Sequence, residues 1–154
     1  MKSISDLLSE HPFFEGLPDD TLELIAGCGW NVHFDSNARI ISENAPADTF
    51  YVLRTGKVAI EINTPHRGSV VIETIGPGDL LGVSWLLPPY RWTFDSRAVE
   101  PTSAIAIDAA CLRGKCDDDP ALGYELFKRF AGLVRDRLQA TRLQLLDLYG
   151  DDAR

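Results

Sequence analysis

An antiparallel β-roll with helices at both ends is the fold that this chain of 154 residues predicts. Three observations point to it. From about Val32 to Asp108, short stretches of alternating apolar residues are cut by Gly56, Gly68 and the run Gly76-Pro77-Gly78-Asp79. Before them lie two short segments with helical spacing. After them comes a long segment whose apolar residues recur at steps of three and four. The class is therefore mainly β with flanking helices: a double-stranded β-helix, or cupin-like jelly roll, with N-terminal helices and a long C-terminal helix.

The elements follow in chain order. Residues 3–10 and 18–26 read as helices; Pro18 suits a first turn, and Asp19 and Asp20 favour a helix N-terminus. Gly27 and Gly29 stop the second. Strands are expected at 31–35, 38–42, 49–54, 57–63, 69–75, 79–82, 93–99 and 103–108. In 57–63, Val58, Ile60 and Ile62 share one face while Lys57, Glu61 and Asn63 share the other. Gly56 sits where a hairpin requires positive φ. Asp117-Asp118-Asp119-Pro120 reads as a helix start. Phe127, Phe130, Val134, Leu138, Thr141, Leu145 and Leu148 then form a stripe about six turns long. From Leu138 onward the stripe extends past what a small roll covers, so a homodimer seam between two such helices is expected. The expected organisation is one domain, 1–154, with N-terminal helices at 1–30, the roll at 31–108 and C-terminal helices at 109–149.

Composition excludes several functions. The chain is 45% hydrophobic, carries a net charge of −8 and has a pI near 4.8. A duplex nucleic-acid binder needs a basic footprint, which this balance opposes. The basic residues from Arg113 to Arg142 are interleaved with Asp117, Asp118, Asp119, Glu125 and Asp136 and read as a solvated face. No apolar run is long enough to span a membrane, and the N-terminus lacks the pattern of a signal peptide. A cytoplasmic location is expected. Three cysteines make no disulfide framework. They read as small buried apolar residues, with Cys111 and Cys116 a candidate redox pair. His11, His33 and His66 are scattered, so neither a metal site nor a cupin-type enzyme is expected.

The segment Ile75–Ala98 carries the candidate site. It reads as a strand end, a glycine turn at Gly82, a short helical turn from Val83 through Ser84 and Trp85, a break at Pro88-Pro89 and a second strand. A roll builds a small-molecule pocket with an exposed helix N-terminus in this way. Strand alternation puts Trp92, Phe94, Ser96 and Ala98 on the inner face, and Arg91, Thr93, Asp95 and Arg97 on the outer one. Outside pairing with Asp95 accounts for both arginines, and a bulge at the loop edge is what would turn Arg91 inward. Trp85, Tyr90, Trp92 and Phe94 either fill the pocket or rebuild it for a flat or apolar ligand.

The succession HPFFEGLPDDTLELIA, FYVLRTGKVAIEI, IGPGDLLG, SRAVEPTSAIAID and a long helix resembles the cyclic nucleotide-binding domain, in the form found in the sensor half of Crp/Fnr-type regulators. The resemblance implies a phosphate-binding cassette in which a glutamate holds the ribose and an arginine pairs with the cyclic phosphate. Aligned on Gly82 and Ala98, those positions hold Val83 and Trp92, while Thr93 keeps the hydroxyl residue that follows. Thr141 matches a helix threonine that reaches the base of bound nucleotide. The implied ligand is cAMP or cGMP, with weak or no binding expected, and no other cofactor is assigned. Regulators of this type continue into a helix-turn-helix domain. The chain leaves no room for one, so direct DNA binding is not expected. The resulting expectation is a stand-alone, non-catalytic sensor module acting through the cassette and long helix, with a protein partner as a further possibility. The alternative is an adaptor dimer with a self-filled pocket.

Overall fold

The computed structural model describes residues 1–152, so Ala153 and Arg154 of the expected 1–154 domain lie outside the described residues. The chain clusters into two compact units, Met1–Lys115 and the segment from Cys116 onward.

In the first unit, α1 (Ile4–Ser9) opens on a reciprocal cap. Ser3 Oγ accepts from the Asp6 N–H, and the Asp6 carboxylate accepts from the Ser3 N–H. A 3-10 turn at Pro12–Phe14 leads to α2 (Asp19–Ala26). Eight strands follow: β1 (Gly29–Phe34), β2 (Arg39–Ile41), β3 (Thr49–Thr55), β4 (Val58–Thr64), β5 (Gly68–Ile75), β6 (Leu80–Leu81), β7 (Asp95–Ala98) and β8 (Thr102–Asp108). Every expected strand is present, with ends displaced by no more than two residues. The strands form two antiparallel four-stranded sheets, ordered β1-β8-β3-β6 and β2-β7-β4-β5.

Ile41, Val52, Val58, Ile60, Leu80, Ala98, Ile105 and Ile107 are buried and form the roll's core. Each fully buried large aliphatic side chain stabilises the fold by roughly 1.5–3 kcal/mol. Gly56 has φ +96°, and a Cβ there would overlap Thr102 and the Pro101 carbonyl. The β3–β4 corner therefore requires glycine for both conformation and space.

The cysteines depart from expectation. Cys28, just after α2, is disulfide-bonded to Cys111 with Cα atoms 5.7 Å apart; 83 residues separate them, so spacing gave no sign of the pair. Cys116 is the free thiol. Cys111 lies in α3 (Ala109–Asp118), whose first turn is capped by Asp108 Oδ1 accepting from the Cys111 N–H at 2.8 Å.

The second unit is α4 (Pro120–Asp152), entered through the last residues of α3. Asp119 Oδ1 accepts from the Leu122 N–H, and Pro120 occupies the first turn. Glu125 pairs along the helix with Lys128 at 3.2 Å and Arg129 at 3.0 Å. Leu138, Leu145 and Leu148 are exposed along the expected stripe. Among the described residues no helix is long and apolar enough to cross a membrane.

Candidate ligand site

β6 delivers the chain to Gly82, where φ is +106°. Past it the backbone makes one turn, closed by Leu86 N–H donating to the Val83 carbonyl at 3.1 Å. The short helical turn expected here is present as this one hydrogen-bonded turn, with no helix N-terminus beyond it. The cause is local: Pro88 disfavours a helical Leu87, so no second turn can be added. The loop is fastened instead to residues 44–47. Asn44 N–H donates to the Trp92 carbonyl at 2.8 Å, Trp92 N–H to Ala45 at 3.0 Å and Ala47 N–H to Tyr90 at 2.7 Å.

Inside the roll, the Trp92 indole lies against Gly82, and a Cβ at position 82 would overlap the six-membered ring. Trp92 is only 5% exposed. Phe94 leans on it with ring centroids 5.9 Å apart, and buried Trp85 stacks on Phe50 at 4.5 Å. Ser96 is buried on the same strand face, and its hydroxyl has no hydrogen-bond partner among the described residues. An unmet hydroxyl in an apolar interior is costly.

The outer face differs. Arg91 is exposed, and its Nη1 donates to the Asn44 carbonyl at 2.8 Å. Arg97 pairs with Glu61, its Nε donating to Oε1 at 3.0 Å. Glu61 is 3% exposed; the Ser69 hydroxyl and Arg97 together hold its carboxyl below the usual carboxylate range, against the opposing effect of burial. Asp95 does not bridge Arg91 and Arg97 as expected; it takes Arg39 at 3.2 Å and the Glu43 N–H at 2.7 Å.

Two features escaped the sequence. Arg113 of α3 donates from Nη1 to the Trp85 carbonyl at 2.7 Å while its guanidinium lies 4.2 Å from the Tyr90 ring centroid. No motif marks that residue. A separate pocket of about 280 Å³ lies beside the N-terminal helices, lined by Leu7, His11, Leu53, Arg54, Pro77 and others. Burial pushes the imidazole of His11 below its ordinary pKa of 6.5, with the carboxylate and carbonyl of Asp79 opposing. Its Nδ1 accepts from the Phe13 N–H, so the neutral ring carries its proton on Nε2.

Comparison with known proteins agrees with this architecture. The family model described as "Cyclic nucleotide-binding domain" matches residues 31–119, more than half of the chain. This chain belongs to the cyclic nucleotide-binding domain family. It is 32% identical to a Geobacter metallireducens protein provisionally assigned as cyclic nucleotide-binding, with a TM-score of 0.78 over 90% of this chain and 99% of that one. A CRP-like cAMP-activated global transcriptional regulator of Mycobacterium tuberculosis is 24% identical over 97% of this chain. The chain spans 65% of the length of that curated relative. The sensor domain of the transcriptional regulator DNR from Pseudomonas aeruginosa shares the fold at a TM-score of 0.69, with 21% identity over 86% of this chain and 89% of that one.

Within this cyclic nucleotide-binding fold, the expected site residues fall into two sets. Gly82, Val83, Ser84, Trp85, Arg91, Trp92 and Thr93 all lie on one loop of the first unit, with Trp85 and Trp92 buried and Arg91 and Thr93 exposed. Thr141 lies in α4 of the second unit, where its hydroxyl donates to the Arg137 carbonyl at 2.9 Å.

Proposed function

We propose that the chain is a non-catalytic regulatory module whose cassette is held shut by its own tryptophan and takes cyclic nucleotides weakly or not at all. One observation carries this reading: the Trp92 indole occupies the approach to Gly82 while Arg91, Arg97 and Arg113 are engaged elsewhere. A cyclic phosphate entering there meets no paired cation and no helix N-terminus. Losing charge-assisted contacts worth roughly 1.5–3 kcal/mol each lowers affinity by about one to two decades per contact. Val83 at the expected ribose position removes a second such contact.

A ligand suited to the space that the indole fills is flat and largely apolar, displaces the ring and gives the Ser96 hydroxyl a partner. Its arrival reorders the loop, and Arg113 carries that change into α3, a two-state element that ligand and partner both bias. The two units act as one regulatory domain in the cytoplasm. The exposed apolar stripe of α4 supports a homodimer. Leu145→Asp yields monomers by light scattering, and an unchanged mass removes the dimer from the account.

The near-complete burial of Trp92 and Trp85 favours a second reading, an adaptor dimer with a permanently filled pocket. A thermal-shift panel separates the two. On the first reading, cyclic nucleotides leave the melting point in place and a small aromatic raises it. On the second, nothing moves it. A clear rise with cAMP or cGMP defeats both.

A further inference from the structure

We propose that the Cys28–Cys111 disulfide is a thiol-controlled clasp that sets how firmly α3 holds the cassette loop. This rests on the loop being the regulated element, as argued above. Three connections converge on the first two turns of α3. The disulfide ties Cys111 to the end of α2, and the Cys28 carbonyl accepts from the Asp108 N–H at 2.8 Å, one residue before the helix. Lys115 Nζ donates to the Leu24 carbonyl of α2. Between these two ties to α2, Arg113 reaches the other way and grips the loop through the Trp85 carbonyl and the Tyr90 ring. The same ten-residue helix is thus bolted on one side and is itself the bolt on the other.

The two ends of the bond differ in burial. Cys28 is buried, but Cys111 is only half-buried, so an incoming thiolate attacks the Cys111 sulfur. Reduction by a low-molecular-weight thiol of the glutathione class proceeds in two exchanges. The first thiolate bonds to Cys111 Sγ and expels Cys28 as a thiolate, which takes a proton. A second thiolate attacks the mixed disulfide, releasing the Cys111 thiolate and one oxidised dimer of the reagent. Two electrons move from two reagent thiols to the protein. Oxidation by the disulfide form of the same reagent reverses each step. Burial and the carboxylates of Asp117 and Asp119 raise the pKa of the remaining thiol, Cys116, which keeps it protonated and slow to enter the exchange. In a reducing compartment, a disulfide of this kind opens and closes rather than serving as a permanent staple.

The test uses the whole chain in buffers of defined ratio of glutathione to its disulfide, without nucleotide. Maleimide mass tagging counts thiols, and hydrogen exchange reads residues 83–91, 109–115 and, as a reference, 49–64. The expected count is one thiol when oxidised and three when reduced. On reduction, exchange in 83–91 and 109–115 speeds up about tenfold or more while 49–64 is unchanged. Oxidised Arg113→Ala reproduces the faster exchange in 83–91 alone. Cys116→Ser responds as the parent does. A count of three thiols in the fully oxidising buffer overturns the proposal. So does a reduced protein whose loop exchanges as before, or a response abolished by Cys116→Ser. Chemical reduction of the parent needs no cysteine variant to fold. Because no cyclic nucleotide enters the measurement, its failure is distinct from a failure of the reading of the pocket.

Discussion

The two faces of β7 and the loop before it make opposite use of the same short stretch of chain. Outward, Arg91, Asp95 and Arg97 each find a carbonyl, an amide or an opposite charge. Inward, Trp92, Ser96 and Ala98 offer rings, a methyl group and one unmet hydroxyl. Every cation that the loop and strand carry is spent on the fold's exterior. The difference teaches that arginines in the right sequence neighbourhood do not make an anion site; alternation decides which side they serve. The indole fits on that inner side because Gly82 has no Cβ to stand in its way.

The most forceful way to break the contrast is to move charge inward. Val83→Glu with Trp92→Arg is expected to raise affinity for a cyclic nucleotide by about two to four decades, one to two for each restored contact. Calorimetry on the folded double variant checks it; indifference to the ligand would mean that the cassette is misaligned. Next in size, Trp92→Ala empties the inner face. It is expected to cost about 3–5 kcal/mol of stability in denaturant melts, the usual range for truncating a buried aromatic side chain. A loss below one kcal/mol, on the order of a surface change, would show that the indole is not packed where Gly82 meets it.

The outer face is sharpened by Arg97→Ala, which leaves Glu61 buried with only Ser69 as donor. About 1–3 kcal/mol should be lost near neutral pH. The sign with acid follows from Glu61, whose folded-state pKa lies below its ordinary 4.5. Ionised Glu61 contributes stability that is present above pH 4.5 and lost as pH falls through the folded value. Parent and variant melts should therefore converge on acidification through that window. Parallel curves would remove Glu61 from the explanation. The smallest expected effect is at His11, whose depressed pKa makes folding favour the neutral ring. Its contribution is whole above pH 6.5 and declines as pH falls below that toward the lowered folded value, so His11→Gln should flatten the stability profile on the acid side of 6.5. An unchanged slope there would place the titration elsewhere.

Much of the roll was legible because its signals are local. Val58, Ile60 and Ile62 alternate, Gly56 and Gly82 mark corners, and Trp92 and Arg97 fall on the faces that period two assigns. What stayed hidden depends on contacts between distant residues. Cys28 meets Cys111 across 83 residues, and Arg113 meets Trp85 across 28. Neither has a spacing to read. The cassette turn is legible for the same local reason: Gly82 followed by Val83-Ser84-Trp85 opens a turn, and Pro88 limits it to one. Sequence proximity pairs Asp95 with the arginines beside it, whereas the neighbouring strand supplies Arg39 at 3.2 Å.

Isothermal titration of cAMP and of cGMP into the unmodified chain tests the central claim most directly. With the indole seated on Gly82, no saturable heat is expected at micromolar ligand. Saturable binding at micromolar or tighter affinity would contradict it, because it would require a phosphate clamp that Val83 and Trp92 do not supply.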